Sequence, residues 1–188
     1  FTDYNTSNTY ALYGSLNYTE GKFGGSFEVK YYRNFLIGTG INEPPALGKE
    51  HTSKLLNRST HVLIPQNEKG VQFETYYQPS LYTNIALNYT TANNNFEEQT
   101  FRYREIFLEI ATSAGKGTDL KFFVDYAKDP FKGENDRISA GAYIEQAIDN
   151  NQYGVKLESE WQQFDRDNKN VQNIANTLTF RKESKIHL

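Results

Sequence analysis

The sequence contains no cysteine and no methionine, and only 5 of its 188 residues are proline. Without a thiol, disulfide frameworks, thiolate metal centres, iron–sulfur clusters and cysteine nucleophiles are excluded. No apolar run approaches about 18 residues, so no helix can cross a bilayer; a membrane strand, which needs only about 9–11 residues, is left open. The 20 Lys and Arg nearly balance the 23 Asp and Glu, and the net charge of −3 gives no electrostatic footprint for nucleic acid. What the chain does have is aromatic side chains, 14 Tyr, 13 Phe and 1 Trp, at a mean hydropathy of −0.73. Such a composition is too aromatic for a disordered tail. The length suits one domain or one large sheet and is too short for two well-filled domains.

Period-two alternation recurs along nearly the whole chain. Tyr10, Leu12, Gly14, Leu16 and Tyr18 share one face, and the Glu20-Gly21-Lys22 turn returns the chain into Phe23, Gly25, Phe27, Val29 and Tyr31. The same grammar predicts hairpins from Val71–Tyr77 with Leu81–Tyr89 through Pro79-Ser80, from Arg102–Ile110 with Leu120–Tyr126 through a Gly-rich turn at 114–118, and from Ile138–Ile144 with Tyr153–Trp161 through 149–151. A last, unpaired segment carries Ile174, Leu178 and Phe180. The count is nine strands and no convincing helix. Short links at 19–22, 78–81, 113–119 and 147–152 are expected to alternate with long polar ones at 37–69, 91–99, 128–136 and 164–172, the layout of a barrel with short turns at one rim and long loops at the other.

The two faces differ in chemistry. One carries Leu, Ile, Val and Phe with aromatics near the strand ends (Tyr10, Tyr18, Tyr31, Tyr77, Tyr89, Tyr126, Tyr153 and Trp161), as a lipid-facing band with aromatic girdles would. The other carries Glu28, Lys30, Glu74, Glu105, Glu109, Lys121, Asp125, Glu145, Lys156, Glu158 and Glu160, and must be wet. A soluble antiparallel sheet with one solvated face produces the same alternation, but simple hairpins with two link lengths favour the barrel. The expectation is therefore an all-β, antiparallel up-and-down meander forming part of a transmembrane β-barrel, with residues 1–188 as a single barrel domain or a fragment of one. Nine is odd, the chain ends in charged residues and Leu188, and no initiator Met or signal pattern is present, so an excerpt of a larger outer-membrane protein is expected.

The segments His51-Thr52-Ser53-Lys54-Leu55-Leu56-Asn57-Arg58-Ser59-Thr60-His61-Val62-Leu63, Phe101-Arg102-Tyr103-Arg104-Glu105-Ile106-Phe107-Leu108-Glu109 and Asp125-Tyr126-Ala127-Lys128-Asp129 resemble porin-like outer-membrane barrels of Bacteroidota, a family of unknown function. The resemblance implies a location in the bacterial outer membrane and contact with its lipid, with other subunits of an outer-membrane complex as further candidate partners. It implies no catalytic residues.

Chemistry-bearing clusters are sparse. Ser59, His61 and Glu50 are the one local set that could imitate a hydrolase triad, and no G-x-S-x-G elbow accompanies them. His51, His61 and Glu50 match no metal-ligand spacing. Glu158 and Glu160, about 7 Å apart along a strand, approach glycosidase spacing but read more simply as lining of a polar lumen. No cofactor, metal or enzymatic activity is expected. The eight acids of that lining against three lysines predict a lumen favouring small cationic or neutral solutes. The 37–69 stretch is expected to be an extracellular loop or to fold into the lumen as a constriction. A soluble or cell-surface module that recognises sugars or peptides through exposed aromatics is the alternative.

Overall fold

The computed structural model describes residues 10–33, 47–61, 67–96, 99–115, 117–148 and 153–182. Its elements are β1 (Tyr10–Glu20), β2 (Phe23–Arg33), a short helix α1 (Lys54–Arg58), β3 (Glu68–Ser80), β4 (Thr83–Phe96), β5 (Gln99–Ser113), β6 (Thr118–Asp129), a 3-10 turn at Pro130–Lys132, β7 (Glu134–Ile148), β8 (Tyr153–Arg166) and β9 (Lys169–Lys182). The nine strands form one antiparallel meander in chain order, and the sheet does not close on itself. Alternation alone predicts this count, because a period of two fits only an extended chain. β9 is not unpaired as expected: it runs fully along β8, from Arg166↔Lys169 to Tyr153↔Lys182.

Three expected links are shorter than their polarity suggests. Residues 91–96 continue β4, and 164–166 with 169–172 continue β8 and β9, which Asp167-Asn168 joins in two residues with positive φ (51° and 60°). Asp and Asn tolerate that backbone, which matches a tight hairpin to the right-handed strand twist. The link at 128–136 shrinks to Pro130–Gly133. Of the long class, only the connection between β2 and β3 remains. The turn placed at Pro79-Ser80 lies at Leu81-Tyr82, after a register shift between Tyr77 and Ser80. The turn at 149–151, the Glu43-Pro44-Pro45 and Val62-Leu63-Ile64 stretches, and His187 with the C-terminal residues lie outside the described residues.

The ladder fixes the two faces. Leu16, Phe27, Phe73, Tyr89, Ile106, Tyr126, Ile138, Gln163 and Gln172 are successive partners in one row across the sheet. All eight aromatics singled out above stand on the face of this row. All eleven charged residues stand on the other. The apolar face is bare: Leu12 is 59% exposed, Ile174 70% and Phe180 74%. Burial is instead concentrated on the polar face, where Leu56, Phe107, Phe123 and Tyr143 form the core under α1.

The apolar band does not follow the rows. On β1, β2 and β8 it spans nine residues with an aromatic at each end (Tyr10 to Tyr18, Phe23 to Tyr31, Tyr153 to Trp161). Relative to the Leu16–Gln163 row, Tyr10 lies six residues toward the β2–β3 link and Trp161 lies two residues toward the short turns. The opposite boundary climbs equally, from Tyr18 at two residues to Tyr153 at ten. A shift of eight residues over seven strand steps is roughly 3.9 Å for every 4.8 Å of strand spacing, an inclination of about 39° between band and rows. Tyr10, Tyr31, Tyr89, Tyr126 and Trp161 follow one oblique boundary; Tyr18, Phe23, Tyr77 and Tyr153 follow the other.

One glycine on the polar face tests the packing. A Cβ on Gly141 would lie 2.2 Å from Cε1 and 2.7 Å from Cζ of Phe123, which is itself buried. Gly141→Ala is expected to cost about 1–3 kcal/mol by overpacking. Urea unfolding measures it, with Gly48→Ala, whose Cβ meets nothing within 4 Å, as the neutral control.

Candidate functional site: the polar face and the segment across it

Residues 47–61 cross the polar face and touch its strands in succession. The Gly48 N–H donates to the Gln72 side chain on β3 (3.2 Å), Lys49 pairs with Glu74 on β3 (2.6 Å), and His51 meets Glu105 on β5 (3.0 Å). Lys121 of β6 donates to Thr52 (2.9 Å), Ser53 donates to Glu160 of β8 (3.1 Å), and Lys54 donates to Thr177 of β9. Residues 47–61 of the long connection thus fold onto the polar face rather than away from the sheet. Its helix was not legible in the sequence because five residues are too few for a helical period; what stabilises it is its cap. Ser53 accepts the Leu56 N–H (3.2 Å), and Glu160 accepts the Lys54 and Leu55 N–H groups (2.9 and 2.8 Å). A carboxylate there satisfies orphan donors that apolar surroundings would leave bare. Tyr143 donates its hydroxyl to the same carboxylate (2.8 Å), and Leu56 seals the helix against Phe107, Phe123 and Tyr143.

Beside the helix, Arg137 occupies the centre of an acidic cluster. Its Nε reaches Asp125, its Nη2 reaches Glu105, and its Nη1 reaches both Glu134 (each 3.1 Å) and the carbonyl of Ser59 (2.9 Å). Arg137 is 1% exposed, and so is Glu105. The planar fork of a guanidinium can serve acceptors on β5, β6, β7 and the segment at once, which an ammonium cannot. A second cluster joins Lys30 to Glu68 (2.6 Å), with Asn94 donating to Glu68 (3.3 Å). There His61 stacks on Tyr103 at 4.1 Å, bonds Asp129 through Nδ1 (3.1 Å) and lies 3.7 Å from Glu68.

The remaining lining residues also have partners. Glu28 accepts from Tyr13 (2.9 Å), Glu109 pairs with Lys121 (3.4 Å), Glu145 with Arg181 (3.5 Å), and Glu158 with Lys156 (2.6 Å). Because Glu105, Asp125 and Glu134 share Arg137 while Glu28 and Glu160 accept from neutral donors, the expected excess of acid over base in the lining remains, reduced by Lys49, Lys54, Arg137 and Arg181. The sequence count omitted these because their role depends on the fold of the segment and on long-range pairing. At the short-turn end, beyond the segment, a cavity of about 410 Å³ remains open, with Asp119, Lys121, Tyr143, Glu145 and Lys156 among its walls.

The local Ser59–His61–Glu50 set is not assembled. Ser59 donates to Glu134 (3.3 Å), His61 is turned to Asp129, and Glu50 is exposed. His51 and His61 likewise sit in separate clusters, and among the described residues no three His, Cys, Asp or Glu side chains could hold a metal. Glu158 and Glu160 share a face, but one is tied to lysines and the other to the helix N-terminus. Comparison with family models, curated proteins and solved structures finds no match.

His61 gives the segment a pH dependence. Burial alone pushes its imidazolium toward deprotonation, but the carboxylates of Asp129 and Glu68 outweigh it and lift the pKa from 6.5 to about 9. A raised pKa means that docking is fully supported below about 6.5 and loses this contribution as pH rises through about 9. Proteolysis within 47–61 should accelerate over that window. His61→Gln should remove the pH-dependent step, and an unchanged profile in that variant would contradict the assignment.

Proposed function

We propose that this chain is the wall of an outer-membrane β-barrel of porin-like or scaffold type, non-enzymatic, with residues 47–61 folded inside as a constriction. The observation that carries it is the oblique apolar band. If the band lies in the bilayer plane, the strands tilt about 39° from the membrane normal, inside the range for membrane barrels. The eight rises of about 3.4 Å between nine residues then cover about 21 Å of height, close to the lipid-facing band of such walls. A soluble sheet packed on a second layer would bury this face, whereas here it is exposed or half-exposed throughout, with Tyr and Trp confined to its two boundaries and Phe27, Phe73 and Phe122 between them. Those boundaries would be the aromatic girdles, in contact with outer-membrane lipid.

The opposite face would line the interior. With the segment in place acids still outnumber cations on this face, so passage would favour small cationic or neutral solutes. The porin-like resemblance to Bacteroidota barrels agrees with this reading but adds no residue roles.

Detergent dependence tests it. The protein should refold to a strand-rich, heat-resistant form only in micelles or vesicles, with Trp161 fluorescence quenched by brominated acyl chains. Refolding as a monomer in plain buffer would overturn the membrane reading and favour the cell-surface module with exposed aromatics.

A further inference from the structure

The two edges of the sheet say what must lie beside it. β1 runs from Tyr10, opposite Arg33 at the end of the β2–β3 link, to Glu20 at a short turn; β9 runs from Lys169, beside the Asp167-Asn168 turn, to Lys182 opposite Tyr153. Both edge strands therefore run in the same direction, as the first and last of an odd antiparallel series must. In the described residues neither edge has a ladder partner, and both faces of β1 and β9 are largely exposed. On the bilayer reading, which this inference takes as its premise, such an edge cannot stay bare, because lipid offers no partner for its N–H and C=O groups.

We infer that the wall is completed by a different β-sheet, an odd number of amphipathic antiparallel strands, and not by a second copy of this one. Two copies around an axis along the membrane normal would juxtapose β9 with β1 of the other copy in parallel, twice per ring. A direct β1–β9 seam would be parallel as well. An odd insert makes every seam antiparallel and the total even, the pattern of bacterial barrels. Its first strand leaves the short-turn rim antiparallel to β9 and its last arrives at the opposite rim antiparallel to β1. Its outward apolar residues must continue the oblique band, level with Ile174, Leu178 and Phe180 at one seam and with Tyr10 to Tyr18 at the other. Its inward residues are polar, to meet Asn173, Thr177 and Thr179 of β9 and Tyr13, Ser15 and Asn17 of β1.

The test uses the intact protein extracted from membranes. Hydrogen exchange should show the edge-facing amides of β1 and β9 slowed to within about tenfold of those in the central strand β5, and native mass spectrometry should show one copy per particle. Edge amides that exchange freely in protein whose β5 is protected would overturn the inference while leaving the membrane reading intact. So would a particle of two copies in which Gly14→Cys and Asn176→Cys form a disulfide between copies. Loss of protection throughout the sheet in micelles would instead remove the premise.

Discussion

Replacing Arg137 with Met should lower the unfolding free energy of the protein by about 3–5 kcal/mol, the largest single-residue effect expected on this face. Removing one guanidinium leaves Glu105, Asp125 and Glu134 together without their common cation, and releases the Ser59 carbonyl that ties the segment to β7. The large value reflects the uncompensated buried charges, not the net worth of the ion pairs when intact. Arg166 supplies the contrast: it also reaches Glu134 (3.4 Å) but its side chain is 45% exposed. Arg166→Met should change stability by less than about 1 kcal/mol. Urea titrations followed by far-ultraviolet circular dichroism measure both, and equal losses would refute the central role of Arg137.

Glu160→Ala is expected to free the segment without dissolving the sheet. The carboxylate accepts two backbone N–H groups of α1, the Ser53 hydroxyl and the Tyr143 hydroxyl. Loss of this cap should cost about 2–3 kcal/mol. Expressed locally, that is a roughly 30- to 150-fold rise in the population with the segment undocked, read as the rate of proteolysis within 47–61. Glu160→Gln keeps one acceptor oxygen and should show a smaller rise. A cleavage rate unchanged in Glu160→Ala would mean that Leu56 and Arg137 alone hold the segment.

Strand number, strand order and the division of side chains between faces were legible in the sequence. Each depends on local alternation: Glu105 and Glu109 fall opposite Ile106 and Leu108 whatever the rest of the chain does. The ends of the strands were not legible, because residues beyond the apolar band, such as Thr91 to Asn94 or Asn170 to Gln172, are mostly polar, and a single Ala92 or Val171 among them shows no alternation, so they resemble loop. Asp167-Asn168 was read as the middle of a polar link for the same reason. The eleven lining residues were identified by type and face, but their partners were not. Lys49 meets Glu74 and Ser53 meets Glu160 only once residues 47–61 lie across the sheet from β3 to β8, and no period in the sequence encodes that path.

By itself, then, the sequence determined an antiparallel meander with one apolar and one polar face, since a period of two admits no other regular structure and turn residues set the hairpins. Only the tertiary structure decided the register, and with it the oblique course of the apolar band, because the angle between band and strands is a property of nine strands in alignment and of none singly. Only the tertiary structure, too, turned a list of acids into paired clusters. Buried carboxylates need cations brought from distant positions, and Arg137, Lys30 and His61 reach theirs only when β2, β3, β5, β6 and β7 and the crossing segment are in place.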